Sequence, residues 1–191
     1  MGKFKEKISW SGIIILFLLI FQKQTYAQQE IYTTPGLVSV SATLSPAKML
    51  NYNEFNYYFS AFGEYRFHSH FSVRGDFYYL LKNDPDHFLN ENIISSLGIQ
   101  YLQSFKNFEL NMGIAPGFGI MNSYRNTAVN EFVPVIQVNF GVRYYIWKYF
   151  HFYANISYFH QQMQNLNRIH GIADELMLSA GLGFNIQTRK N

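Results

Sequence analysis

Apolar and polar side chains alternate with a period of two along most of this chain, and that alternation constrains the fold more than any other feature. The stretch FGVRYYIWKYFHFYANISYF, residues 140–159, shows it clearly. Large apolar side chains fall at alternate positions up to Ile146, and the alternation resumes at Phe150 after Trp147-Lys148-Tyr149. Successive side chains of a β-strand point to opposite faces. The stretch therefore predicts two strands joined by a tight turn.

Eight segments of this kind follow one another along the chain. They are 36–45, 55–67, 71–82, 93–105, 108–121, 132–146, 150–163 and 175–187. Short connections at 68–70, 106–107 and 147–149 alternate with longer polar ones at 46–54, 83–92, 122–131 and 164–174. The sequence therefore predicts an all-β fold, a single eight-stranded antiparallel up-and-down β-barrel with short turns at one end and loops at the other.

The first 27 residues have the pattern of a targeting segment. Three lysines precede an unbroken apolar run over 13–21, and Thr25-Tyr26-Ala27 follows as a cleavage site. The run is too short for a helix to span a bilayer, which takes about 20 residues. We expect a cleaved signal peptide at 1–27, an N-terminal periplasmic tail at 28–35 and the barrel at 36–191. A retained signal anchor is the alternative.

The charge of the protein depends on that cleavage. Of 15 basic and 12 acidic residues, four and one lie within 1–27, which leaves 11 of each. A neutral mature chain gives no reason to expect nucleic acid as a partner. The chain contains no Cys, so the sequence excludes a disulfide framework and a lipid-modified Cys.

Strand parity divides the side chains into an apolar face and a polar or small face, and the charges well within the strands all share the polar face. In a soluble ligand-binding barrel the apolar face would point inward, whereas in an outer-membrane barrel it faces lipid. A charge facing lipid near the midplane costs about 2–4 kcal/mol, and the large apolar side chains would overfill so narrow a lumen. We therefore predict an outer-membrane barrel with this polar network in its lumen: Glu64, Arg66, Arg74, Asp76, Gln100, Glu109, Asn111, Asn139, Arg143 and Asn155.

The predicted lumen contains three acids and three bases, which we expect to pair as a closed polar plug, not a pore. Pro116 and Pro134 lie on the predicted lipid face, and each lacks the N–H that a strand ladder needs, so we expect a bulge or a strand end near each. Aromatic residues form 19% of the chain and cluster where strands meet turns. We expect these to anchor the barrel at a membrane interface: Phe67, Phe71, Phe105, Phe108, Trp147, Tyr149 and Phe150.

Two motifs contain histidine, and neither is best interpreted as a catalytic or metal-binding site. His70-Phe71-Ser72 resembles the His-x-Ser pairing of lipid A deacylases, but it lies beside a short turn and parity places both residues inside. His68, His70 and His151 would meet at the same rim, although no Cys or carboxylate spacing supports a metal site. We predict no catalytic residue and no metal ion here.

Two further motifs resemble ligand-binding loops. Asp84, Asp86 and Glu91 offer carboxylates for calcium, but their spacing does not match a calcium-binding loop. The glycine-rich stretch GIAPGFG, residues 113–119, lacks the Lys and the following helix of a phosphate-binding loop. We interpret the first as a solvated loop and the second as small residues in a narrow lumen, and we expect no cofactor.

The signal peptide, the eight strands, the short turns opposite longer loops and the closing LSAGLGFNIQTRKN resemble the outer membrane protein beta-barrel domain family. This family is built like the small OmpA and OmpX barrels. Its members typically end on an aromatic residue, whereas here Gln187 to Asn191 follow Phe184 and Ile186. The resemblance implies a monomer in the cell outer membrane of a Gram-negative-type envelope, with outer-membrane lipid and the barrel-assembly machinery as partners.

The resemblance and the short loops lead us to expect a structural or interaction role and no enzymatic activity. The four loops would be displayed outside the cell. The alternatives are a PorT-like accessory of a protein secretion system and a lipid-modifying outer-membrane enzyme.

Overall fold

Eight antiparallel strands form one closed barrel, in which each strand pairs with its neighbours in sequence and the last pairs with the first. The computed structural model describes residues 34–52, 54–81, 88–123, 131–162 and 173–189. The strands are β1 (Leu37–Met49), β2 (Phe55–His68), β3 (Phe71–Leu80), β4 (Leu89–Phe105), β5 (Phe108–Ser123), β6 (Glu131–Trp147), β7 (Phe150–Gln161) and β8 (Glu175–Gln187). The predicted fold class is confirmed. The predicted signal peptide and most of the predicted tail lie outside the described residues.

The two ends of the barrel differ as the connection lengths predict. Tight turns at 69–70, 106–107 and 148–149 join β2–β3, β4–β5 and β6–β7 at one end, where the chain also enters β1 and leaves β8. We call this end the turn rim and the opposite end the loop rim. A positive φ of 54° at Lys106 bends the β4–β5 turn within two residues. In the described part of the chain, no helix is long and apolar enough to cross a membrane.

Backbone pairing lapses beside a proline between β4 and β5. The pairs run to Ser96↔Gly117 and resume at Ile99↔Ile114 in the same register, with Pro116 in the gap. A proline cannot donate to the ladder, so the strands stay adjacent there without pairing. The sequence predicted a bulge or strand end at Pro116, and that prediction is wrong.

A second proline behaves as predicted. Pro134 is the fourth residue of β6, and the pairing of β6 with β7 ends beside it at Val135↔Gln161. Its missing N–H therefore falls at the margin of the ladder, where the loss of a hydrogen bond costs least.

The longest lapse in pairing lies at the seam between the first and last strands. Residues 42–46 of β1 and 178–182 of β8 lie opposite each other without backbone pairing, and Pro46 is in this gap. Two hydroxyl groups from β1 bridge it: Ser41 Oγ and Thr43 Oγ1 donate to carbonyl oxygens of β8 at 3.0 and 2.8 Å. Side chains thus replace backbone amides along the middle of the seam.

The outer surface of the barrel is an apolar belt, as strand parity predicts. Large apolar side chains are exposed on every strand, and Leu44, Ile99, Ile114, Phe132 and Leu178 are each more than half exposed. Soluble monomers rarely expose contiguous apolar surface of more than a few hundred Å². A belt that encircles the whole barrel is the surface of a protein whose surrounding medium is itself apolar.

The inside of the barrel holds larger side chains than the sequence led us to expect. Tyr58, Tyr145 and Phe159 are fully buried there. Glycines on neighbouring strands make the room: a Cβ on Gly183 would overlap the imidazole of His151. Bulky and small residues therefore interdigitate across the lumen.

Candidate functional site

All ten residues of the predicted lumen network lie inside the barrel and are buried. Alternation places them there, because each occupies the strand parity opposite to the apolar belt. They are Glu64, Arg66, Arg74, Asp76, Gln100, Glu109, Asn111, Asn139, Arg143 and Asn155. Most lie in the half of the lumen nearer the turn rim.

Arg143 on β6 is the centre of the larger ion-pair group. Both of its terminal nitrogens donate to the carboxylate of Glu64 on β2, one at 3.0 Å, and Nη1 also lies 3.4 Å from Oε1 of Glu109 on β5. Arg66 on β2 pairs with the other oxygen of Glu109, and Tyr145 donates its hydroxyl to Oε1 of Glu109 at 3.0 Å. Because β2 lies across the barrel from β5 and β6, these pairs join opposite walls.

A smaller group forms around β3. Arg74 Nε donates to Asp76 Oδ1 at 2.9 Å, and Arg74 Nη2 donates to the same oxygen at 2.7 Å. The Tyr78 hydroxyl also donates to this carboxylate, at 3.2 Å. The Phe62 ring lies between the two groups, with the Arg74 guanidinium 4.0 Å and the Arg143 guanidinium 5.6 Å from its centroid. A buried aromatic face of this kind stabilises guanidinium groups that have left water.

The amides of the network divide into two kinds. With its amide oriented to satisfy both atoms, Asn155 accepts a hydrogen bond from Arg74 Nη1 at 3.2 Å and donates to the Ala154 carbonyl at 3.2 Å. Asn111 and Asn139 make no side-chain hydrogen bond to any described residue although both are buried. The structure therefore brings Asn155 into the ion-pair network and leaves Asn111 and Asn139 lining the wall, as it does the unpaired Oε1 of Gln100.

The loop-rim half of the lumen holds both apolar and polar side chains, among them a carboxylate that was not predicted from the sequence. Glu175 is fully buried, and its oxygens accept hydrogen bonds from Asn56 Nδ2 and the Tyr58 hydroxyl, both at 2.7 Å. Strand parity would have revealed it, since it shares the parity of Ser179. Around it lies an apolar cluster that includes Met49, Leu89, Ile94, Val133, Phe159 and Met177.

The seven predicted aromatic anchors all lie at the turn rim. Six are exposed on the outer surface, and Phe150 is half-buried. Several rings pack against outward neighbours: Phe150 lies 5.5 Å from Phe184 and Tyr149 lies 6.1 Å from it, while Phe108 lies 4.7 Å from Tyr144. The anchors therefore form a ring of aromatic side chains at one level of the barrel.

The short motifs do not converge into sites among the described residues. His70 is exposed in the β2–β3 turn, contrary to the inward position that parity assigned, whereas Ser72 is buried in the lumen. His68 is exposed and His151 is buried, and no group of three or more potential metal-ligating side chains occurs in the described part of the chain. Asp84 and Asp86 lie outside the described residues.

Solved structures share this architecture. The N-terminal β-barrel domain of Pseudomonas aeruginosa OprF is similar with a TM-score of 0.56 and 13% identity over 80% of this chain and 98% of that one. Ail, the attachment invasion locus protein of Yersinia pestis, has a TM-score of 0.52 and 14% identity over 80% and 100%. Neisserial surface protein A has a TM-score of 0.52 and 15% identity over 79% and 96%. No protein-family model and no curated protein sequence matches the chain.

At these identities the likeness concerns the fold. The chain has the fold of the small eight-stranded outer-membrane barrels, and the OmpA/OmpX-like architecture predicted from the sequence is confirmed.

Proposed function

We propose that this protein is an outer-membrane β-barrel with a closed polar lumen and a structural or interaction role, and that its loops face the outside of the cell. One observation carries the proposal: the same strands present an unbroken apolar belt outward and paired charges inward. On β6, Arg143 is buried among carboxylates while its neighbours Val142 and Tyr144 face outward. Lipid is the medium that suits such a surface, and closure of the barrel leaves no free edge strand within it.

The proposed closure of the lumen has two parts, one in each half. Near the turn rim, Arg143 and Arg66 join β2 to β5 and β6 across the interior. Near the loop rim, Tyr58, Phe159 and Met177 belong to a buried apolar cluster. An ion passing through would have to displace the charge pairs and then pass between the buried side chains packed around Glu175, and the cost of dehydrating an ion opposes the second step.

The proposed orientation places the turn rim in the periplasm and the loop rim outside the cell. Barrels of this type have short periplasmic turns and longer extracellular loops, which is the asymmetry seen here. With loops of this modest length, the exposed surface suits a compact contact better than a broad adhesive one. Export would depend on the predicted signal peptide at 1–27.

Heat modifiability of the protein in membrane fractions tests the proposed location. We expect the protein in the outer-membrane fraction, with a gel mobility that shifts when the sample is boiled, because a closed barrel resists the detergent until heated. A soluble periplasmic protein with no shift would contradict the proposal and would favour a barrel whose apolar face surrounds a ligand.

Planar-bilayer recording tests the closed lumen separately. We expect no stable channel from the folded protein. Long-lived openings on the nanosiemens scale would contradict the closed lumen while leaving the outer-membrane location intact.

A further inference from the structure

The exposed charges of the described chain are sorted by sign between the two rims. At the turn rim every exposed charged side chain is basic. Among the described residues of the loop rim, the exposed or half-buried carboxylates are Glu54, Glu91, Glu131 and Asp174, against Lys48 and His160, which pairs with Asp174 at 2.8 Å. The carboxylates near the turn rim, Glu64 and Glu109, point into the lumen and are paired with arginine there. The described part of the turn rim therefore presents positive charge without an exposed carboxylate beside it.

These basic side chains are distributed around the barrel, one position at each corner of the turn rim. Lys106 lies in the β4–β5 turn and Lys148 in the β6–β7 turn. Arg189 follows β8 at the seam, and His68 and His70 supply imidazoles in the β2–β3 turn. All five side chains are exposed. Among the described residues, neither lysine nor Arg189 forms a salt bridge, so their charges are available to a partner.

Arg189 is held at the turn rim by hydrogen bonds between the end of β8 and the residues that precede β1. Thr188 donates to the Gly36 carbonyl through its backbone N–H at 3.0 Å and through its hydroxyl at 2.8 Å. The Gln187 side chain donates to the Pro35 carbonyl at 3.1 Å. The residues that follow the last aromatic position of β8 therefore fold back on the start of β1. These hydrogen bonds fix the position of Arg189, the basic residue at the fourth corner of the turn rim.

The aromatic ring at the same level shows how deep these charges would lie in a membrane. Phe105 and Phe108 flank the Lys106 turn, and Trp147 and Tyr149 flank Lys148, whose ammonium lies 5.4 Å from the centroid of the Tyr149 ring. Exposed Trp and Tyr side chains mark the headgroup region of a bilayer. The lysines in these turns therefore lie at the depth of lipid phosphates.

Resting on the proposed function, we propose that the turn rim is a binding surface for anionic phospholipid headgroups in the leaflet that it faces. A lysine ammonium binds phosphate as a compact point charge, and the cationic side chains at three of the corners, Lys106, Lys148 and Arg189, let several headgroups bind around one barrel. Near an anionic surface each such charge strengthens attraction about fivefold at moderate ionic strength. The described residues of the loop rim are mostly acidic, so we expect the preference at the turn rim.

Trp147 provides a reporter at the site itself. The chain contains two Trp residues, so Trp10→Phe leaves Trp147 as the only indole in the full chain. The protein would be folded into phosphatidylcholine vesicles that contain dibrominated phosphatidylglycerol or, in parallel, dibrominated phosphatidylcholine at equal mole fraction. Bromine quenches a neighbouring indole, so the ratio of the two quenching efficiencies measures enrichment of the anionic lipid. We expect an association constant for phosphatidylglycerol several times that for phosphatidylcholine.

Three comparisons decide the result. Lys148→Gln should lower the preference about fivefold, whereas Lys48→Gln at the loop rim should leave it unchanged. Raising the salt to about 0.5 M should bring the ratio close to one, because the Debye length then shrinks to a few Å. A ratio of one in the parent protein, or a ratio that Lys148→Gln does not change, would overturn the proposal.

A second reporter tests whether the surface is a ring. Phe105→Trp in a chain that carries Trp10→Phe and Trp147→Phe moves the indole to the β4–β5 corner, where Lys106→Gln should have the same effect. A preference at Lys148 alone would reduce the proposal to a single site. Every variant must first show the heat-dependent gel shift. A protein that does not fold bears on the proposed function, whereas a folded protein without lipid preference bears on this inference alone.

Discussion

Arg143 is the residue on which most of the pairing in the lumen depends. It contacts Glu64 on one wall and Glu109 on the other, and its side chain is buried. Arg143→Met would leave the Glu64 carboxylate without its bidentate partner in a site that water reaches poorly. Removal of one partner from a buried ion pair costs about 3–5 kcal/mol. We expect a loss of stability of that size in urea unfolding from lipid vesicles.

The double variant Arg143→Met with Glu64→Gln distinguishes the lost attraction between the two side chains from the cost of leaving the Glu64 carboxylate buried and unpaired. Adding Glu64→Gln to Arg143→Met removes the stranded carboxylate, so we expect it to recover part of the stability, although Glu64→Gln alone destabilises the barrel. If the two substitutions simply added, the pair would not be coupled as the geometry indicates.

Gly98 and Gly63 form a matched pair of sites for testing how closely the strands approach. A Cβ on Gly98 would overlap the Ile114 carbonyl and the backbone of Ala115 on β5, whereas a Cβ on Gly63 meets nothing within 4 Å. Gly98→Ala would therefore force β4 and β5 apart, and we expect a cost of about 1–3 kcal/mol. Gly63→Ala should change stability by less than about 0.5 kcal/mol in the same urea titration. Equal effects would mean that β4 and β5 are not in close contact at Gly98.

Strand parity predicts which residues face the lumen, but it does not predict which of them contact one another. Alternation along β2 is enough to predict that Glu64 and Arg66 face inward. It cannot predict that these two residues contact Arg143 and Glu109, because cross-lumen contacts depend on barrel closure and strand stagger. Glu175, by contrast, lies at a position that parity does predict, because it is the first residue of β8 and shares the parity of Ser179.

At the scale of strands, the seam between β1 and β8 has the weakest backbone pairing. Pro46 cannot donate, and Thr43 supplies a hydroxyl in place of an amide to the Ala180 carbonyl. Thr43→Val keeps the side-chain shape but removes that donor. A carbonyl left without its donor costs about 1–3 kcal/mol when buried. We expect the heat-modifiable form of Thr43→Val to be lost at a lower temperature than that of the parent.

Thr43→Ser is the matched control for the seam, because it retains the hydroxyl and loses only a methyl group. It should behave much more like the parent than Thr43→Val does. If the two variants lost the folded form at the same temperature, packing and not the hydroxyl would hold the seam.

The strands themselves were predictable because their two faces meet different media. Alternation located all eight, and their ends differ from the predicted bounds by at most four residues: β1 and β4 extend into predicted loops, whereas β3 and β7 each end two residues early. The interrupted pairing at Pro116 could not be predicted from alternation, which continues unchanged through that position, and Pro46 lies in a segment that the sequence predicted as a loop. Whether a proline ends a strand or is bridged by neighbouring side chains is decided by the adjacent strand.

At the scale of the whole molecule, the barrel is asymmetric along its axis in two respects. Ion pairs occupy the turn-rim half of the lumen, whereas an apolar cluster around the hydrogen-bonded Glu175 occupies the loop-rim half. Among the described residues, the exposed charges of the turn rim are basic and those of the loop rim are mostly acidic. A barrel whose two ends differ in this way should insert into the membrane in one direction, because polar loops and charged turns do not cross a bilayer equally well.

The direction of insertion can be tested on a clean background, since the chain contains no Cys. Asn51 lies at the loop rim and Lys148 at the turn rim, and both are exposed. With a membrane-impermeant maleimide on intact cells, Asn51→Cys should be labelled and Lys148→Cys should not. Permeabilising the outer membrane should expose both, which shows that each thiol is reactive. Labelling of Lys148→Cys alone in intact cells would reverse the orientation and would place the basic rim on the outer leaflet.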